Sequence, residues 1–550
     1  MSLAIEPTKD WTVDDAMRAR IDAVFAAWDT ATTPGCALGI YREGEVVYTK
    51  GFGMSNLEHG IPIQSDSIFH IASISKQFTD MCIALLASEG ALDVDDDIRL
   101  YVPEVPEFGP AITIRHLIHH VSGLRDQWSL LELAGWRDED LVTEDDVMDL
   151  VMRQTALNFT PNDEYLYSNT GYTLLSMIVR RVSGKTLREF CQDRIFGPLG
   201  MTRTHIHDDH SEIVKGRTQA YEPRKKGGYH ISIPEFDVVG TTGLFTTVED
   251  LAKWDGNFVT AQVGGPEVIA LIQTPGTFNS GKPMTYAWGL IEDAYRGARQ
   301  IGHGGSDHGY RADYSRFPDF GFTVTCLSNV SDSNPHLLTQ RVTDAVLGDR
   351  LTAPTIPDAN AGTRRKGVPA IVRTYDLAGT YHNAEHNAFL MVTSRDGKAI
   401  LEADEPLELK TVGNGTFTLP EWGVTMVAGD RSTPIGSLNV TFGGSADAYV
   451  RIESFTPTSR ELDAYAGSYW SEELATAYDL IADHAAGALT IRRRKFEDQT
   501  IRPLAIDTFG RGSLQMGTVV TFEHEKRDKI SGLSLTAGRI RNLRFSRRET

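Results

Sequence analysis

Long apolar runs are missing from the 550-residue chain. No stretch approaches the roughly 18 consecutive apolar residues that a membrane-spanning helix needs, so none is expected and no membrane partner is read. Cysteine is scarce: Cys36, Cys82, Cys191 and Cys326 are the four. They lie far apart, each in an apolar stretch, with neither a zinc spacing nor a disulfide framework, so four buried free thiols are expected. Basic excess is missing too. Against 74 Asp and Glu stand 54 Lys and Arg, a formal net charge of -20, which argues against nucleic acid and anionic membrane surfaces as partners. The start, Met1 to Pro7, has no basic region followed by an apolar run, so no signal peptide is read. The expected location is cytoplasmic, or periplasmic if a leader was removed. With 41% hydrophobic and 23% charged residues, the chain is globular, and its length suits three or four domains.

One stretch organises what is present. Ile71-Ala72-Ser73-Ile74-Ser75-Lys76-Gln77-Phe78-Thr79 carries a hydroxyl and an amine three residues apart. From Phe78, apolar residues recur at Met81, Cys82, Leu85 and Leu86, the spacing of a helix with one buried face, and Gly90 stops it. Residues three apart on a helix are neighbours, so the Lys76 amine can reach the Ser73 hydroxyl. A serine becomes a nucleophile when a base takes its proton. S-x-x-K alone is expected about twice by chance in a chain this long, so partners must come from elsewhere.

Thr12, Asp14 and Asp15 open a helical pattern through Met17, Ile21, Val24, Phe25 and Trp28. Cys36 to Tyr41 and Glu45 to Lys50 read as a hairpin about Arg42-Glu43-Gly44. Residues from about 95 to 200 are mostly helical in pattern, clearest at Val147 to Val151 and Thr173 to Val182. Strands are expected at Tyr286 to Ile291, Gln300 to His303, Arg311 to Phe317 and Gly321 to Ser328. A last helix is capped by Asn334 with Pro335 in first position, burying Leu338, Val342, Ala345 and Val346. Strands flanking a helical middle imply an antiparallel sheet closed by the two ends of this region. From Leu351 to Arg373 the composition shifts to that of a linker. Short alternating strands follow. Ala378-Gly379-Thr380-Tyr381 returns as Ala466-Gly467-Ser468-Tyr469, which suggests two similar small β-barrels.

Downstream of Ser73 and Lys76 stand Tyr167-Ser168-Asn169 and His303-Gly304-Gly305. The order S-x-x-K, Y-x-N, H-x-G resembles the penicillin-recognising serine hydrolases: class C β-lactamases, DD-peptidases, related esterases and D-aminopeptidases. His119-His120-Val121-Ser122-Gly123-Leu124, Pro198-Leu199-Gly200-Met201 and Thr242-Gly243-Leu244-Phe245-Thr246-Thr247 also look like that family. Ser122 to Asp126, Gly302 to Gly305 and the two following β modules are similar to the three-domain D-aminopeptidases, and the layout to peptidases that cut linearised microcystin-type peptides.

The resemblance implies an α+β fold: a β-lactamase/transpeptidase-like catalytic domain over 1–352, a linker over 353–373, and antiparallel β-barrel domains over 374–458 and 459–550. It implies eight strands in each barrel, with a loop of the last one limiting access to the site. It also implies catalytic roles for Ser73 as nucleophile, Lys76 as base, Tyr167 as its acid–base partner and His303. Asn169 would orient substrate and bond Lys76. The oxyanion hole would be the backbone N–H groups of Ser73 and Ser306, with Gly304 and Gly305 letting the strand approach substrate closely.

His303 stands where β-lactamases and DD-peptidases usually carry Lys-Thr-Gly. A histidine titrates near neutrality, so the carboxylate anchor is expected to be weakened or pH-dependent. That favours aminopeptidase, amidase or esterase chemistry over penicillin hydrolysis. The position before Gly243 is Thr242, a departure without a sequence-level reason. Two histidine-rich strings are set aside. His382-Asn383-Ala384-Glu385-His386 fits H-x-x-E-H but lies in a β-patterned module. His205, His207, Asp208, Asp209 and His210 resemble a surface loop of the family. No metal and no cofactor is expected. The expected function is a serine hydrolase cutting short peptides or amides, with D-residues among them. A weak β-lactamase or esterase and a non-catalytic penicillin-binding sensor are the alternatives. The expected partner is a small peptide or amide, with a homodimer allowed.

Overall fold

The computed structural model describes residues 11–352 and 374–548, apart from 404–405, 414, 420–423, 430–433, 443–444, 512–516 and 527–528. The expected linker over 353–373 and the Met1 to Pro7 start lie outside the described residues. Two compact units emerge. One holds the chain up to Gln127 and from Asp138 to Pro354; the other holds Trp128–Arg137 and the chain from Thr355.

In the first unit, six antiparallel strands form a sheet in the order Ile291–Tyr295, Ala298–Asp307, Tyr310–Phe317, Phe322–Ser328, Cys36–Arg42, Glu45–Phe52. The N-terminal strand pairs with the last one, Cys36 opposite Ser328 and Arg42 opposite Phe322. The ends of this region thus close the sheet around a helical middle. Asp15–Val24 and Pro335–Leu347 pack together, joining Ile21, Phe25, Leu338 and Val342 to Leu38, Ile40, Val324 and Cys326 of the strands. Asn334 caps the second helix at the Leu337 N–H, with Pro335 in its first turn. The first helix is capped by Asp14, not Thr12, and ends at Val24, so Trp28 lies past it. All four cysteines are buried and free.

The expected strand over Tyr286 to Ile291 is a correction: the strand is Ile291–Tyr295. Tyr286, Ala287, Trp288 and Leu290 are buried, but Gly289 turns the chain at φ +64 against the Gln77 backbone. A Cβ there would meet the Gln77 nitrogen at 2.6 Å, so the apolar run packs against the start of the Lys76 helix.

The second unit carries two antiparallel sheets. Eight strands from Gly467–Ser471 to Ile540–Arg547 form a closed barrel. Among the described residues, the other sheet has nine strands where eight were expected. Its edge strands, Leu407–Glu408 and Lys410–Gly413, flank only Leu409, so the sheet curls back on itself. The four-residue repeat is physical. Tyr381 and Tyr469 each begin a sheet and donate to the carbonyl four residues back, Leu377 at 2.9 Å and Tyr465 at 2.7 Å. Arg451 and Arg547 lie over these rings at 5.4 and 5.8 Å. Both guanidinium groups donate to the alanine carbonyl that opens the motif, Ala378 and Ala466. His382 sits in a strand and Glu385 and His386 in the following turn, not on one helical face.

Candidate active site

Ser73 lies in a one-turn 3-10 helix, Ala72–Ser75, that runs into the α-helix Lys76–Ser88. The residue before it, Ala72, is buried and holds φ +48. A left-handed alanine costs free energy and persists only where surrounding contacts impose it. Those contacts come from the strand Ala298–Asp307. A Cβ on Gly305 would lie 2.3 Å from the Ile71 carbonyl oxygen and 3.2 Å from the Ala72 Cβ. Gly305 therefore lets the strand lie directly on the turn that presents Ser73. Gly304 faces open space, with Ala312 O at 3.8 Å the nearest atom, so its lack of a side chain is not needed for packing.

Lys76 is fully buried. Its Nζ lies 3.1 Å from Ser73 Oγ, 3.0 Å from Asn169 Oδ1 and 2.8 Å from the Thr241 carbonyl oxygen. Two of these partners can only accept. Two N–H bonds are thus directed at Asn169 and Thr241, and the serine oxygen lies within reach of the same amine. As a neutral amine, Lys76 would aim its lone pair at the Ser73 hydroxyl proton.

Asn169 begins the helix Asn169–Ser183, whose N-cap Ser168 makes no side-chain capping bond. The missing cap comes from Asp126, whose Oδ2 accepts from the Asn169 backbone N–H at 2.7 Å and from its Nδ2 at 2.8 Å. Thr241 donates its hydroxyl to Asn169 Oδ1. Tyr167 lies beside this group: Lys76 Nζ is 4.8 Å from its ring centre, and His120 lies over the ring at 4.0 Å. His120 is another non-glycine residue at positive φ, +58, and its Nδ1 accepts from the Ser168 N–H at 3.1 Å.

His303 is 7% exposed, with its ring 6.1 Å from that of Tyr167. Its Nδ1 is 2.5 Å from the Gly304 carbonyl and its Nε2 3.2 Å from the Tyr286 hydroxyl. Nδ1 therefore holds the proton and Nε2 accepts. Burial, with the Lys76 charge added, lowers this imidazole to about 4. The expected titration near neutrality is corrected: His303 is a neutral ring across the physiological range and no cation for a carboxylate.

The strand Ile291–Tyr295 ends its pairing at Gly302, opposite Ile291. On that side no strand among the described residues pairs with 303–307. Ser306 lies on this stretch, opposite Arg311 on the paired side.

Thr242 now has a physical reason. Its hydroxyl lies 2.9 Å from His70 Nε2 and 3.0 Å from Asp307 Oδ2. It joins the end of the site strand to the buried His70, which also accepts from the Gly243 N–H at 3.1 Å. Burial works to lower His308 and to raise Asp307. Their mutual 2.8 Å contact more than offsets this, holding His308 above and Asp307 below its usual value.

Asp126, Thr241, His120, Tyr286 and Thr242 were given no role by sequence reasoning. Asp126, His120 and Thr242 sit inside quoted motif stretches, the one signal that could have found them. Among the described residues, two groups could hold a cation, His205 with His207 and Glu212, and Asp209 with His210 and Asp237. Neither includes a residue of the Ser73 site.

A buried amine on a serine at a strained turn, beside an open strand edge, defines a class of serine hydrolases. The family model for beta-lactamase matches residues 20–349, and the chain belongs to the beta-lactamase family; it is a serine hydrolase. It is similar to a D-aminopeptidase of Cereibacter sphaeroides, 27% identical over 483 residues and 86% of each chain. A D-aminopeptidase of Gluconobacter oxydans is 28% identical over 397 residues, 71% of each. Among solved structures, the octameric penicillin-binding protein homologue from Pyrococcus abyssi matches with a TM-score of 0.55 at 21% identity, over 88% of this chain and 99% of that one. D-amino acid amidase from Ochrobactrum anthropi SV3 matches with a TM-score of 0.52 at 22% identity, over 61% of this chain and all of that one. At these identities the two structures speak to the fold. Among the described residues, no helix is long and apolar enough to cross a membrane.

Proposed function

We propose that this chain hydrolyses short peptides or amides through an acyl-enzyme, with a D-residue on the acyl side of the bond cut. The observation that carries the reading is the Lys76 amine, turned toward Ser73 by two obligate acceptors. In this mechanism the Ser73 oxygen bonds to the carbonyl carbon and its proton passes to Lys76 Nζ. The oxyanion is held by the N–H groups of Ser73 and Ser306. The leaving amine takes a proton through Tyr167 and Lys76 as the C–N bond breaks. Water then attacks the ester, the acid departs, and Ser73 regains its proton.

The open edge over 303–307 would receive an extended backbone by strand addition. Neutral His303 supplies no cation for a substrate carboxylate, which favours amide and aminoacyl substrates over penicillins. The D-aminopeptidase relatives support the stereochemistry, and linear non-ribosomal peptides such as opened microcystins are the finer substrate class we infer.

The test is a panel of D- and L-aminoacyl p-nitroanilides, short esters, a cephalosporin and linear non-ribosomal peptides, read by mass, for the wild type and Ser73→Ala. D-aminoacyl turnover should be lost in the variant, and a serine-directed acylating reagent should add mass to Ser73 of the wild type. Full activity in Ser73→Ala would overturn the assignment.

A further inference from the structure

We propose that His205, His207 and Glu212 form a binding site for one divalent transition metal, with zinc the favoured ion. The site is separate from the Ser73 centre and nothing in the hydrolytic reading requires it.

Local structure aims the ligands. His205–Ile206 is a two-residue strand that pairs with Leu244–Thr246, His205 opposite Phe245 and Ile206 opposite Leu244. His207 continues the pairing, donating its N–H to the Gly243 carbonyl at 2.7 Å. Residues two apart on a strand share a face, so both imidazoles point the same way. Phe245 packs against both, its ring centre 5.7 Å from His205 and 4.7 Å from His207. The run is therefore not a surface loop throughout, and His207 is only 6% exposed.

The separations suit a metal site better than strong hydrogen bonds. His205 Nε2 and His207 Nδ1 are 3.4 Å apart, and Nδ1 is 3.7 Å from a Glu212 oxygen. The three ligand atoms lie within 4.8 Å of one another. Good hydrogen bonds from nitrogen span about 2.7–3.2 Å, so both separations are long for that purpose. A tetrahedral zinc with bonds of about 2.0–2.1 Å places its ligands about 3.3–3.4 Å apart. Two of the three separations are within a few tenths of an ångström of that spacing, and the third, within 4.8 Å, would close as the ion is bound. Two imidazoles and a carboxylate are a donor set suited to zinc, which leaves a fourth position for water.

Outer contacts hold the carboxylate. Arg188 donates to both Glu212 oxygens, at 2.7 and 2.9 Å, and to Asp208 Oδ1 at 2.9 Å. Arg188 and Arg217 stand against Asp208 and Glu212, so the charges around His207 balance before a dication enters. The neighbouring Asp209, His210 and Asp237 differ: His210 Nδ1 already sits 2.9 Å from Asp237 Oδ1, a satisfied pair. A metal at His205 would tie the loop through Glu212 to the strand that follows Thr241, a wall of the site rather than a participant in its chemistry.

The full chain, stripped with a chelator and dialysed, is titrated with zinc by calorimetry, and its melting midpoint and zinc-edge X-ray absorption are recorded. One zinc per chain, a nitrogen- and oxygen-only shell with two imidazoles, and a raised midpoint are expected. His205→Ala and Glu212→Gln should each weaken binding by more than about 100-fold, beyond the usual loss from an outer-shell change, and remove the midpoint shift; Asp237→Ala should leave both. The proposal is overturned by no uptake, by uptake unchanged in His205→Ala and Glu212→Gln, or by uptake lost only in Asp237→Ala. These readouts do not depend on whether Ser73 is the nucleophile.

Discussion

Alanine at position 305 would press on the turn that presents the nucleophile. Its Cβ would stand 2.3 Å from the Ile71 carbonyl oxygen, where ordinary contact begins near 3.4 Å. Strand and turn must therefore part by about 1 Å. The turn cannot absorb this locally, because Ala72 is already held at φ +48. The strand is also pinned, by its pairing with Tyr310–Phe317 and by the Thr242 contact to Asp307. The movement thus falls on the distance between Ser73 and the backbone that should hold the oxyanion. A misplacement of about 1 Å costs about 100-fold in rate, or about 2.7 kcal/mol. Gly304→Ala adds the same methyl group one residue away, where the nearest atom is at 3.8 Å. Turnover of a D-aminoacyl p-nitroanilide, measured beside thermal melts, should show Gly305→Ala down about 100-fold in kcat and Gly304→Ala within about threefold of wild type. If the folded Gly305→Ala enzyme keeps wild-type kcat, or Gly304→Ala is the more damaged, the close approach does not set the geometry.

Two further outcomes follow from buried polar groups. His70, His119 and His303 are all lowered to about 4, in each case chiefly by burial. Unfolded rings titrate near 6.5, so stability is complete above that value and is lost as pH falls from about 6.5 to about 4, by up to about 3 kcal/mol per ring. Melting midpoints should be level from pH 8 to 7 and drop steeply below pH 6, and kcat/KM should show no limb near 6.5 belonging to His303; a level midpoint down to pH 4.5 would contradict neutral rings. Thr242→Val removes the hydroxyl between His70 and Asp307 and should cost about 1–3 kcal/mol in urea unfolding, with Thr242→Ser recovering most of it; a valine variant as stable as wild type would show the bridge to be idle.

What was legible in the sequence was what depends on near neighbours. The Ser73 helix declared itself through Phe78, Met81, Cys82, Leu85 and Leu86, and the final helix through Asn334 and Pro335, because periodicity and caps are local. The paired tyrosine motifs 88 residues apart were legible because each makes the same short-range bond, to a carbonyl four residues back. Tyr286 to Leu290 misled for the opposite reason. An apolar run buried on every side has no alternation to read, and the Gly289 turn is dictated by Gln77, far away in sequence. The roles of Asp126 and Thr241 were hidden because each acts on Asn169, 43 and 72 positions away. The neutrality of His303 was equally hidden, since residue type gives the unperturbed value and burial sets the actual one. The His205 run was read as a surface loop from family resemblance, and its two-residue pairing with Leu244–Thr246 is too short to show as alternation.

The direction of the hydrogen bonds from Lys76 to Asn169 and Thr241 is forced from their far ends. Asp126, when ionised, can only accept, so the Asn169 side chain must turn its Nδ2 toward it. The amide oxygen then faces Lys76, which must donate. The Thr241 carbonyl takes a second Lys76 proton for the same reason. Ser73 Oγ lies 3.1 Å from the same amine. Polarity thus runs one way, from carboxylate through amide to amine to hydroxyl. An amide is required at the middle of this chain. A carboxylate at 169 would stand against Asp126 and favour Lys76 as its ammonium, which has no lone pair to take the serine proton. The aspartate bound to Asn169 therefore sets which way the serine proton can move.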